Sequence, residues 1–302
     1  MVWVLGMDEN GLGPCLGPLV ATGALLEVER YDAEALAEVG RRLGLADSKQ
    51  VSAFGRMRKV ESLVLAFWRE RGISGDADAL FEGALVGGLK PQQSPCPDAL
   101  HRQQCWGAPL PLPAFGGDAD EGQAILDALA QAGIRLHWLR SQLACADRIH
   151  AAQAKGDSRF QLDLMLFEEI ALDAARSLGS EMHIVCGMVG GIRRYRGRFR
   201  RIDPSRIALI EEAKGRAAYR IEGLGEIRFE VDAERHLPVA LASMFGKYMR
   251  ELATERQHRF YAAQQPDLPR VSGYHDPRTR AFIRDSADLR RRLGILPTCF
   301  QR

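Results

Sequence analysis

Met7-Asp8-Glu9-Asn10-Gly11-Leu12-Gly13-Pro14 closes an apolar stretch that begins with the chain. The run Val2, Trp3, Val4 and Leu5 reads as a buried strand, which Gly6 and the later glycines bring to an end at two adjacent carboxylates. Acids placed where a strand stops alternating can both turn toward one site, and the glycines let another backbone approach closely. A sheet delivers acids to a metal in this way. A solvated acidic turn is the plainer alternative.

Two distant segments weigh against that turn. Leu43-Gly44-Leu45-Ala46-Asp47-Ser48-Lys49-Gln50 precedes a long helical pattern, with Asp47 or Ser48 suited to cap it. Leu237-Pro238-Val239-Ala240-Leu241-Ala242-Ser243-Met244-Phe245-Gly246-Lys247-Tyr248-Met249-Arg250-Glu251 opens with proline and runs through small residues. In this order and at these separations the three segments resemble ribonuclease HII. The hallmarks of that family are a strand end reading Asp-Glu-Ala-Gly-Arg-Gly-Pro, a D-S-K helix start and an A-S-I-x-A-K-V-x-R-D helix. The resemblance runs from Val2 to about Tyr274. It implies an α/β, ribonuclease H-like mixed central sheet flanked by helices, with a helical C-terminal region.

Composition agrees with a globular enzyme. The chain has 302 residues, 46% of them hydrophobic, enough for one large core with a smaller appended unit. Residues 1–260 are expected to form the catalytic domain, interrupted by an irregular insertion at about 87–122, and residues 261–302 a C-terminal loop and helical region. No apolar stretch reaches the roughly 20 residues needed to span a bilayer. The start lacks the basic region and cleavage site of a signal peptide, so a cytoplasmic location is expected; a monomer without membrane contact is also expected. The cysteines (Cys15, Cys96, Cys105, Cys145, Cys186, Cys299) show no CxxC spacing, which suggests buried free thiols and neither a zinc site nor a disulfide framework. A net charge of +2 is too small to define a partner.

Periodicity places a second strand at 18–28, a helix at 32–43 and a longer helix at 53–71, whose Phe54, Met57, Val60 and Val64 recur at helical spacing as a core stripe. Between 87 and 122 prolines, glycines and glutamines break the pattern, and a long irregular segment is expected. A helix at 121–132, a strand at 134–139, a helix at 160–178 and a strand at 182–186 follow. Strands at 207–211, 218–222 and 226–231 then lead to a helix at 238–260. Helical character returns at 285–293.

The resemblance also implies a chemistry. Phosphodiester cleavage by two divalent ions, Mg²⁺ or Mn²⁺, needs a cluster of carboxylates, because hard ions favour oxygen ligands. Asp8 and Glu9 match the family's adjacent pair, and Glu251 falls where a further acid is expected on the last helix, with glutamate in place of aspartate. All three are expected to be catalytic and to hold the metal. The family's remaining acid ends a short apolar strand, and here Cys186 and Gly187 stand in its place. Asp203, Glu211 and Asp232 are nearby substitutes in sequence, though none sits at a motif position.

Substrate contacts follow from the same comparison. Gly11-Leu12-Gly13 keeps the backbone donors of the family's G-R-G segment but lacks its guanidinium, and Tyr274 resembles a tyrosine that stacks near the ribose. A packed loop aromatic is the plainer reading of Tyr274. The 2′-hydroxyl distinguishes RNA from DNA, and amides around Gly11 and Gly13 remain to read it. Lys49 and Lys247 belong to motif segments and are expected to contact phosphates. From Ile192 to Arg201 six arginines, Arg193 and Arg194 among them, interleave with two aromatics, a pattern suited to a nucleic-acid backbone or to a solvated basic loop.

The leading expectation is a divergent metal-dependent endoribonuclease that cleaves RNA in RNA/DNA hybrids or ribonucleotide-containing duplexes, leaving 5′-phosphate and 3′-hydroxyl ends. The alternative is a catalytically weakened relative that binds nucleic acid without cutting. A ribonuclease H-fold nuclease acting on DNA alone comes third.

Overall fold

The computed structural model describes residues 1–45, 56–190 and 192–302. Strand β1 (Val2–Asn10) runs straight through the acidic pair instead of ending before it, and β2 (Leu19–Val28) returns antiparallel to it with Asp8 opposite Thr22. Strand β3 (Ile134–Ala144) pairs antiparallel with β2. β4 (Met182–Gly187) lies parallel to β1 on its other side, and β7 (Gly225–Glu230) lies parallel to β4. β5 (Ile207–Ala213) and β6 (Arg216–Ile221) extend the sheet beyond β7 by antiparallel pairing. The resulting order is β3-β2-β1-β4-β7-β6-β5. This is the expected mixed sheet, with helices on both faces and a helical C-terminal region, and its class is ribonuclease H-like.

Alternation along β1 assigns its two faces. Val4 packs into one core with helix α9 (Leu237–Gln264), and Leu5 and Met7 pack into another with helix α8 (Arg159–Leu178). Side chains alternate across a strand, so Asp8 belongs to the α9 face and Glu9 to the α8 face. Helix α8 is bounded as its sequence requires. The Ser158 hydroxyl accepts from Gln161 N at 3.1 Å, and Gly179 closes the helix at φ +65°. Gly6 lets β1 and α9 touch through their backbones: a Cβ there would lie 2.1 Å from the Pro238 carbonyl carbon.

Helices α1 (Ala33–Arg42) and α2 (Arg58–Arg69) lie within the expected helical segments, and the first residues of the expected 53–71 helix fall outside the described residues. α3 (Ala77–Ala84) was not anticipated. The stretch expected to be irregular instead forms α4 (Leu89–Gln93), α5 (Ala99–Arg102) and a π-helical turn at Gln103–Gly107 before α6 (Ala119–Gln131). Glu61 of α2, fully buried, holds its end in place by accepting the backbone N–H groups of Ala114, Phe115 and Gly117 at 2.6 to 2.8 Å, with the Tyr248 hydroxyl at 3.1 Å. Helix α7 (Ala146–Ala154) follows β3. α10 (Pro277–Asp285), α11 (Ala287–Leu293) and α12 (Pro297–Phe300) complete the chain, and no helix among the described residues is long and apolar enough to cross a membrane.

Candidate active site

Although Asp8 and Glu9 leave β1 on opposite faces, their carboxylates meet beyond the end of β4. A Cβ placed on Gly187 would lie 3.1 Å from Asp8 Oδ1 and 3.7 Å from Glu9 Oε2. The position where the resemblance expects an acid therefore adjoins both carboxylates, and it carries no side chain. On the α9 face Asp8 is hydrogen-bonded to Ser243 and feels Glu234 and Lys247. The Ser243 hydroxyl also reaches Glu234 Oε1 at 3.2 Å. One hydroxyl proton cannot donate to both carboxylates at once.

On the α8 face stands Asp163, an acid that the sequence reading passed over. It is fully buried, and both its carboxylate oxygens have no hydrogen-bond partner. Burial pushes its proton affinity well above the usual carboxylate range, and Glu9 and then Asp8 add to this by like-charge repulsion. Burial likewise raises Asp8 and Glu9, each also feeling Glu234. The one signal in the sequence was Leu162-Asp163-Leu164, a charge set inside an apolar helix face. Asp203 and Asp232 flank short 3₁₀ turns and Glu211 pairs with Arg216 at 3.6 Å, so none of the three expected substitutes is among the principal charges acting on the acidic pair.

Glu251 is not brought to this cluster. It lies eight residues beyond Ser243 on α9, about 12 Å further along the axis at 1.5 Å per residue. Its charged neighbours are Arg250 at 3.7 Å, Arg270 and Glu255, and burial raises its pKa to about 7. Lys247, one turn from Ser243, does face Asp8. Lys49 lies outside the described residues.

The loop after β1 assembles the other expected contacts. A Cβ on Gly13 would lie 3.9 Å from Tyr274 Cε1, and Tyr274 is half exposed. The amides of Cys15 and Leu16 both donate to Gly273 O, at 2.8 and 3.1 Å, which binds the two loops together. Gly11 (φ +101°) would meet Arg250 Nε at 3.1 Å if it carried a Cβ. Arg250 donates to Leu16 O and Ser272 O at 3.2 and 3.0 Å, and lies 5.5 Å from the Tyr274 ring centre. Arg302 donates to Gly11 O, while its Nε and Nη2 are buried without a partner. Burial, then Arg250 and Arg159, lowers the Arg302 pKa to about 9. The guanidinium that Leu12 does not supply is thus present from elsewhere in the chain.

Beyond Gly187, Arg193 and Arg194 line a groove of about 620 Å³ together with Met188, Gly190 and Lys214. Arg194 also pairs with Glu212 at 3.6 Å. The interleaved aromatics do not share this exposure. Tyr195 is fully buried, stacked 3.7 Å from Phe229, and Phe199 is buried beside Tyr219. Only the arginines of the segment are available to a nucleic acid. Glu168 pins the segment from beneath by accepting the N–H groups of Arg200, Arg201 and Ile202.

The donor set fits a hard divalent cation. All donors are carboxylate oxygens, two of them approach one point above Gly187, and the Asp163 oxygens are orphaned. Among the described residues no group of three or more His, Cys, Asp or Glu side chains is already arranged to hold a metal ion. Uncompensated carboxylates repel one another.

A ribonuclease H-like sheet with paired acids on its first strand defines the class of the protein. The model of the family Ribonuclease HII matches residues 5–69, a stretch that includes β1 and the acidic pair, so this part of the chain is similar to that family. No curated protein matches it by sequence. Among solved structures it is similar to the ribonuclease HII complex with PCNA from Archaeoglobus fulgidus at 18% identity, covering 99% of this chain and 93% of that one with a TM-score of 0.48. The ribonuclease H2 from Pyrococcus horikoshii OT3 is similar at 16% identity, with 99% and 92% coverage and a TM-score of 0.45. Bst-RNase HIII in complex with Mn²⁺ is similar at 14% identity, with 95% and 71% coverage and a TM-score of 0.44.

Proposed function

We propose that the chain is a divergent endoribonuclease acting on RNA paired with DNA, and that Asp8, Glu9 and Asp163, in place of Glu251, hold its Mg²⁺ or Mn²⁺. The observation that carries this reading is the meeting of two carboxylates over Gly187 with an orphaned third beneath them. Bound by these carboxylates, a divalent ion would supply an activated water and charge compensation for the leaving oxygen. Ser243 and Lys247 orient Asp8 from the α9 side. Gly11 and Gly13 offer backbone to the ribose, Tyr274 offers a ring face, and Arg302 and Arg250 draw a phosphate toward that loop. Arg193 and Arg194 hold the backbone further along.

The test is cleavage of an RNA/DNA hybrid and of a duplex bearing a single ribonucleotide, in each metal. Products with 5′-phosphate and 3′-hydroxyl ends are expected. Asp8→Asn and Asp163→Asn should each lower the rate by more than about 100-fold, beyond the 10–100-fold typical of outer-shell partners, while Glu251→Gln retains it. Intact substrates in both metals would remove the enzymatic reading, and equal cutting of all-DNA duplex would point to a DNA nuclease.

One observation favours a second reading, binding without cleavage. Gly187 contributes no carboxylate, and the Lys247 ammonium already compensates part of the Asp8 charge. That version predicts salt-sensitive hybrid binding that survives Asp8→Asn, with no cutting by either protein.

A further inference from the structure

Among the described residues two Phe, Tyr or Trp side chains are exposed, Tyr274 at 51% and Phe160 at 40%. A single exposed apolar side chain needs no explanation. These two need one, because both border the acid site. Tyr274 stands against Gly13 in the loop after β1. Phe160 lies in the first turn of α8, three residues before Asp163 and hence on the same side of that helix. Arg302 feels Arg159, the neighbour of Phe160, and also Tyr274, so it links the two aromatic positions.

The Phe160 ring is held flat against backbone. Gly190, at φ +48°, passes directly beside it: a Cβ there would lie 2.0 Å from Phe160 Cδ1 and 2.1 Å from Cε1. Only glycine permits that approach. Gly190 also lines the groove of Arg193, Arg194 and Lys214, so the ring stands at the mouth of that groove, between it and Asp163. The groove holds one carboxylate, Glu212, against these three cations. A cationic groove beside an exposed aromatic is the combination that takes single-stranded nucleic acid, with phosphates on the cations and a base on the ring. A base inside a continuous duplex has no free face to offer until it leaves its stack, whereas an unpaired base offers one at once.

We propose that Phe160 and the Arg193–Arg194 groove form a site for unpaired nucleotides that continue from the bound hybrid, with a base stacked on the Phe160 ring. The inference rests on the nucleic-acid reading given above and narrows its substrate to an RNA/DNA hybrid that opens into a single strand beside the acids. Tyr274 and Phe160 then divide the work. Tyr274 faces the paired side of the cut, and Phe160 faces the strand that leaves it.

The test compares the affinity of the full chain for a blunt RNA/DNA hybrid and for the same hybrid carrying a single-stranded extension of about six nucleotides, on either strand and at either of its ends, by fluorescence anisotropy in EDTA so that nothing is cut. At least one extended form is expected to bind more tightly than the blunt one, by about 5- to 150-fold, the worth of one stacked base. Phe160→Ala and Phe160→Leu should bring the ratio of the two affinities to about one, whereas Phe160→Trp, which restores a ring, retains it. Leucine keeps apolar bulk against Gly190, and an unchanged melting temperature separates loss of the ring face from loss of fold. Equal binding of blunt and extended hybrids by the wild-type protein, or a Phe160→Leu protein that keeps the preference, overturns the site and leaves the hybrid reading standing. A wild-type protein that binds no hybrid overturns the site together with that reading.

Discussion

At position 187 the sheet brings β4 alongside Asp8, and a side chain there would enter between the two carboxylates. Gly187→Asp is therefore expected to lower the stability of the metal-free protein, by adding a like charge, and to enlarge the rise in melting temperature that Mn²⁺ produces. Asp163→Asn should act in the opposite sense, stabilising the metal-free protein at pH 8 and shrinking the Mn²⁺ response. Glu251 gives a cleaner titration. Its native pKa of about 7 exceeds the ordinary value, so the native state binds the extra proton between roughly pH 4.5 and 7, and stability falls as pH rises through that window. Glu251→Gln should then gain up to about 3 kcal/mol at pH 8 and nothing below pH 4.5, as read from urea denaturation. Adjacency made the Asp8 and Glu9 pair legible from sequence. Asp163 was not legible because its helix reads as packing, and the motif that placed Glu251 on α9 does not record that its charged neighbours there are Arg250, Arg270 and Glu255.

Among the elements, the loops flanking the sheet are held by single buried glutamates. Glu61 takes three backbone N–H groups from the end of the insertion, and Glu168 takes three from the arginine-rich segment. Glu61→Ala leaves three partly buried donors unsatisfied and is expected to cost about 3 kcal/mol, with early proteolysis near Ala114 as a second readout. The strands and long helices were legible because their periods are strong. α3 and the short helices of the insertion were not, since a helix of five residues carries no periodic signal and owes its form to tertiary anchors such as Glu61. Burial of Tyr195 shows the converse: an aromatic between arginines looks like a stacking platform until its partner Phe229 is known.

The whole molecule carries little net charge, so any affinity for nucleic acid must come from its distribution. Arg193→Glu with Arg194→Glu should weaken hybrid binding and reduce the salt slope by about 2, one for each lost phosphate contact, with little change in melting temperature. The order of the sheet was beyond the sequence, because β1 pairs with β4 across some 180 intervening residues and local pattern does not record such partners. Gly6 then ties shape to chemistry. With no side chain between them, β1 and the start of α9 abut as one rigid wedge, and the wedge carries Asp8 on one arm and Ser243 on the other. Loss of site geometry on heating should coincide with detachment of α9 and show no separate earlier transition. A single methyl group at Gly6 would prise the arms apart and silence the protein without touching any group that meets the substrate.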